Sequence, residues 1–61
     1  MPLLRLVEKF LRETDMPRTK FGRLCASDPR LVDDLRNGRE PREALRSRVE
    51  HFMNNYREQQ A

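Results

Sequence analysis

Apolar residues recur along this chain with the period of a helix. Leu3, Leu4, Val7, Phe10 and Leu11 fall at i, i+1, i+4, i+7 and i+8, while Arg5, Glu8, Lys9, Arg12 and Glu13 take the other side. A 3.6-residue repeat gathers the first set on one stripe and turns the second to water, which predicts a helix over residues 3–14. Asp15-Met16-Pro17 ends it, because the residue before a proline is pushed out of the α region. A short second helix is expected over residues 17–26, with Pro17 at its first position and Phe21, Leu24 and Cys25 as its apolar edge. Met16 is a poor cap for it.

Ala26-Ser27-Asp28-Pro29 carries the best helix start in the chain. Asp28 accepts hydrogen bonds from free N–H groups, and Pro29 fits a first turn where its missing N–H is not needed. A third helix is expected over residues 29–36, burying Leu31 or Val32 together with Leu35. Asn37-Gly38 closes it, since glycine adopts the left-handed conformation without strain. Pro41 opens a fourth helix, expected over 41–57, with Leu45, Val49, Phe52, Met53 and Tyr56 on one stripe. Residues 58–61 are expected to fray. The chain thus reads as an all-α, compact four-helix domain spanning residues 1–61.

Sixty-one residues allow one domain, and a chain of this size buries only about 60% of its unfolded surface. That leaves little room for an enclosed pocket with converging catalytic groups, and no enzyme activity is expected. Charged residues make up 38% of the chain and the formal charge is +3, which permits a nucleic-acid partner without requiring one. Between residues 16 and 27, Arg18, Lys20 and Arg23 stand with no acid among them. The single Cys25 forms no internal disulfide and reads as a small buried hydrophobe. No Cys/His set has zinc spacing, so neither a metal nor a cofactor is expected. His51 lies off the apolar stripe of the last helix, without a partner at catalytic spacing. No signal peptide is expected and no apolar run approaches twenty residues, so a cytoplasmic, nucleoid-associated protein away from membranes is expected.

The middle of the chain has a helix-turn-helix pattern. Phe21 and Cys25 lie one turn apart on an inner face, and Gly22 falls where the second helix must approach the third closely. Ala26 stands at the turn, and Val32 and Leu35 face inward beyond it. Two short helices crossing steeply need small residues at their contact and apolar ones beside it.

The stretch from Arg18 to Arg39, with Asn37-Gly38-Arg39-Glu40-Pro41 as the following turn, resembles the lambda-repressor-like (Cro/repressor-type) helix-turn-helix family over about residues 3–56. It is also similar to short bacterial helix-turn-helix proteins with stretches like Thr19-Lys-Phe-Gly-Arg and Asp28-Pro-Arg-Leu-Val. The resemblance implies a bacterial or phage transcriptional regulator that binds double-stranded DNA, its third helix in the major groove. Three departures stand out: Ala26 where many members have glycine, Ser27 in place of an apolar residue, and the acids Asp33 and Asp34 on the helix that approaches DNA.

In that geometry Arg30, Asp33, Asp34 and Asn37 are the base-contact candidates. Arg30 suits guanine through a bidentate guanidinium; its plainer alternative is an ion pair with Asp33 or Asp34. Asn37 either binds adenine or caps its helix. Each acid must face away from phosphate, pair with an arginine, or accept from a cytosine amino group. Arg18, Thr19, Lys20, Arg23, Arg39 and Arg42 are the phosphate-contact candidates, fixing orientation without reading sequence; a solvated charged face is the alternative. Phe52, Met53 and Tyr56 are candidates for a homodimer contact, or else for packing on the first helix. The competing function is a protein-interaction module, antitoxin-like or an adaptor, whose helical surface binds another protein such as a transcription factor.

Overall fold

The computed structural model describes the backbone of residues 2–60 and the side chains of residues 2–59. It is all-helical over those residues, with α1 at Leu3–Thr14, α2 at Arg18–Ala26, α3 at Leu31–Arg36 and α4 at Glu43–Gln60. The first helix has the expected bounds. The second starts one residue late, because Pro17 takes the extended cap position (φ −62°, ψ 142°). In α3 the delay is two residues: Pro29 and Arg30 form a turn before the helix, with Arg30 at φ −97°, ψ 3°. Helix α4 begins at Glu43 instead of Pro41 and continues through residues 58–60, where fraying was expected. Residue 61 lies outside the described residues.

Each break has a local cause. Asp15 ends α1 in the left-handed region at φ 58°, a conformation that Asp tolerates better than most side chains. Met16 then turns inward and is buried, pinning the α1–α2 link to the core although no periodic pattern marks it. At the end of α2 the left-handed residue is Ser27 (φ 55°), not Ala26, which remains helical. The Ser27 amide donates to the Arg23 carbonyl and the Asp28 amide to the Gly22 carbonyl, both at 3.1 Å. That paired return closes the last turn of the helix. Gly38 takes the left-handed conformation after α3, with φ +96°.

The core draws on every helix. Leu3, Val7, Phe10 and Leu11 of α1 meet Phe21 and Cys25 of α2, Leu31, Val32 and Leu35 of α3, and Val49 and Met53 of α4. Phe10 sits at the centre of an aromatic cluster, 5.4 Å from Phe21, 6.1 Å from Phe52 and 5.3 Å from Tyr56 between ring centroids. Fully burying such a ring stabilises by roughly 1.5–3 kcal/mol, and edge-on ring pairs add to that. Met53 therefore has no surface to offer a partner, and Phe52 and Tyr56 spend much of theirs on Phe10. Leu24 departs from its expected place: it is 55% exposed and faces away from the core.

Ion pairs strap the helices together at the surface. Arg36 of α3 grips Glu8 of α1 through two hydrogen bonds of 2.7 and 3.1 Å. Arg57 of α4 reaches Glu13 of α1 at 3.4 Å and lies over the Phe10 ring. Half-exposed pairs of this kind contribute little beside the buried rings. The Arg36 hydrogen bonds hold the Glu8 carboxyl below the usual glutamate range, outweighing a smaller rise from burial. A depressed carboxyl stabilises the fold above its unfolded pKa, and that stabilisation is lost as pH falls through the folded value. Wild type should accordingly exceed Glu8→Gln in stability at neutral pH and converge on it in acid. Urea melts at both pH values test this, and a gap of equal size at each would contradict it.

The α2–α3 crossing depends on Gly22. A Cβ placed there would run into the Asp28 carbonyl oxygen and lie 3.2 Å from the Leu31 Cβ. The obstacle is backbone, so it cannot swing aside. Gly22→Ala should lower the melting temperature, with a loss on the order of 1–3 kcal/mol, although alanine alone favours a helix by about 1 kcal/mol. A variant that melts at or above wild type would mean that the crossing relaxes freely.

Candidate nucleic-acid interface

The outward face of α3 follows from its inward one. Leu31, Val32 and Leu35 are buried, so Arg30, Asp33, Asp34 and Asn37, at i, i+3, i+4 and i+7, look outward. The entrance to this face is fixed by Asp28. Its Oδ1 accepts from the Arg30 amide at 3.0 Å, and its carbonyl accepts from the Leu31 amide at 3.1 Å. The expected helix start thus works as a turn that feeds α3.

Both acids on this face are paired. Arg18, the first residue of α2, places its Nε 2.8 Å from Asp33 Oδ1. Arg39, just past the glycine turn, places Nη1 3.1 Å from Asp34 Oδ2 and 3.6 Å from Asp28 Oδ2. Two of the expected phosphate contacts are thus engaged with the protein's own carboxylates. Arg30 takes the other course: it is exposed, and its guanidinium pairs with neither Asp33 nor Asp34 nor any other described residue. Asn37 ends α3 through its backbone amide, which donates to the Asp33 and Asp34 carbonyls. Its exposed side chain takes no part in that cap.

The remaining candidates divide by exposure. Lys20, Arg23 and Arg42 are exposed with no ion pair among the described residues, and Thr19 is half-buried. Lys20 and Arg23 project from α2, within the α2–turn–α3 unit, and Arg42 follows that unit in sequence, just before α4. His51 is exposed, its Nε2 2.9 Å from the Asn55 amide nitrogen.

A second surface was not legible in the sequence. Between α2 and α4 runs a groove of about 390 Å³, floored by Leu24, Cys25, Phe52 and Tyr56 and edged by Arg48 and His51. Leu24 looked like a core residue because it neighbours Phe21 and Cys25, and only the rotation of α2 about its axis turns it out. Among the described residues no helix is long and apolar enough to cross a membrane.

Comparisons with protein-family models, with curated proteins and with solved structures found no match to this chain.

Cys25 lies at the base of the groove but is buried, and burial pushes its thiol up to about 11. The nucleophilic thiolate is therefore scarce near neutral pH. A disulfide reagent at pH near 8 should label native protein slowly and unfolded protein at once. Rapid stoichiometric labelling of the native state would show a reactive cysteine instead.

Proposed function

We propose that this chain binds double-stranded DNA in a sequence-specific way, as a small helix-turn-helix regulator of transcription of the lambda-repressor-like kind. The outward face of α3 enters the major groove, and Lys20, Arg23 and Arg42 meet flanking phosphates. The observation that carries this reading is the pairing of Asp33 with Arg18 and of Asp34 with Arg39. Two bare carboxylates on that face would oppose a polyanion, and each has a guanidinium beside it. The side chains there with no partner of their own among the described residues are Arg30, a donor suited to guanine, and Asn37, suited to adenine. The role is one of binding, with no catalysis, metal or cofactor, in the cytoplasm on the nucleoid.

One α3 helix spans few base pairs, so a two-fold dimer reading two half-sites about 34–36 Å apart is part of the proposal. A second copy would be met through Leu24 and the α2–α4 groove and not through Met53, which is buried. The same groove is the specific feature favouring the rival reading, a module that binds another protein. Salt separates the two. Binding to duplex DNA weakens with log salt by a slope of about −0.9 per phosphate neutralised, whereas docking into an apolar groove is nearly indifferent to it.

Selection from random duplex DNA with the purified protein is the direct test, and a palindromic consensus would report the dimer. Arg30→Ala should relax one base position, at a loss on the order of 1–3 kcal/mol for the best site. Lys20→Ala should instead weaken all sequences alike and reduce the salt slope by about 1. Uniform weakening by Arg30→Ala would make it a phosphate contact.

A further inference from the structure

A carboxylate in a DNA groove accepts hydrogen bonds and does nothing else. In the major groove only the cytosine N4 and adenine N6 amino groups donate to it. Adenine sets its N7 acceptor beside N6, so a carboxylate there meets a second lone pair. Cytosine offers the amino group alone.

Asp33 and Asp34 differ in what is left of them once their arginines are bound. Asp34 belongs to a clasp at the end of α3. Arg39 donates its amide to the Asp34 carbonyl at 3.0 Å and its guanidinium to the Asp34 carboxylate, while sharing that guanidinium with Asp28. Asp33 has a partner from another helix, and only one of its oxygens is used: Oδ1, 2.8 Å from Arg18 Nε. Its Oδ2 has no hydrogen bond among the described residues, and the side chain is 44% exposed. Asp33 lies one turn beyond Arg30 on the outward face of α3.

We propose that Asp33 reads a cytosine in the bound duplex, and that Arg18 is its positioning residue. The Arg18 guanidinium holds Oδ1, turns Oδ2 outward to accept from the cytosine amino group, and cancels the charge that would otherwise repel flanking phosphates. This rests on the DNA-binding function proposed above. It gives Arg18 a task other than the phosphate contact expected from the sequence, and it names the class of site: one with a G·C pair whose cytosine faces α3.

The experiment compares selections from random duplex DNA by wild type, Asp33→Asn and Arg18→Ala. Wild type should demand cytosine at one position of its site. An asparagine amide both donates and accepts, and pairs bidentately with adenine N6 and N7. Asp33→Asn should therefore move that one preference from cytosine to adenine and leave the others in place. Arg18→Ala should flatten the same position without moving it to adenine. Melting temperatures check that each variant is folded, as expected for a half-exposed pair. A profile unchanged by Asp33→Asn, or a uniform loss at every position, overturns the assignment of Asp33. Uniform weakening by Arg18→Ala with the cytosine preference intact overturns the positioning role. Should wild type itself show no salt-dependent binding to duplex DNA, the parent function fails and this inference falls with it, an outcome distinct from the other two.

Discussion

The absence of a side chain at Gly22 sets the position of α3, and most of the surface chemistry follows from it. The Asp28 carbonyl occupies the space where a Cβ would be, so the chain leaving α2 passes directly against that helix. Asp28 also opens the turn into α3, its carboxylate accepting from the Arg30 amide two residues on and lying near Arg39. The close passage at Gly22 lays α3 near enough to the start of α2 for Arg18 to meet Asp33. Moving α3 outward by the thickness of a methyl group would draw Asp33 away from Arg18, while the local Asp28 turn would travel with the helix. Packing of backbone on backbone, not charge, determines where the charges stand.

The two kinds of interaction in the molecule divide their tasks. Buried rings around Phe10 hold α1, α2 and α4 together through non-directional contact, which tolerates small shifts. The ion pairs that bridge helices are directional and half-exposed. They add little stability, but they fix which way arginine and carboxylate side chains point. On a surface that meets another molecule, orientation is the property that matters.

The sequence revealed the helices well because periodicity is a local signal and each turn has its own punctuation. The four elements follow from apolar spacing together with the proline, Asp28 and Asn37-Gly38 signals, and the buried face of α1 from spacing; for α3 the spacing leaves Leu31 or Val32 open, and both are buried. Four features were hidden, each for a physical reason. Ser27 adopts the left-handed conformation, one residue beyond Ala26, where the helix-turn-helix pattern puts the turn. Met16 is buried through its place between two helices, where no period applies. Leu24 is exposed because a nine-residue helix packed on both α3 and α4 has two inner faces, and neither includes it. The pairing of Arg18 with Asp33 spans 15 residues and depends on the crossing of α2 and α3. From the sequence, pairing with an arginine is one of three open fates for each acid, and the one partner it suggests, Arg30 on the same expected helix, pairs with neither.

Helix α3 has six residues, well below the roughly 12–15 at which an isolated helix becomes even marginal in water. Its helicity is lent by Leu31, Val32 and Leu35, which anchor it in the core against α1 and α2, and by the Asp28 turn that feeds it. Cut out as a peptide, the segment keeps every outward side chain and loses the spacing between them. Its outward face therefore exists only in the folded population, and any local opening of α3 withdraws that face whole. Affinity for whatever α3 meets is coupled to the stability of the core beneath it, so a change deep among the phenylalanines is felt at a surface it never touches.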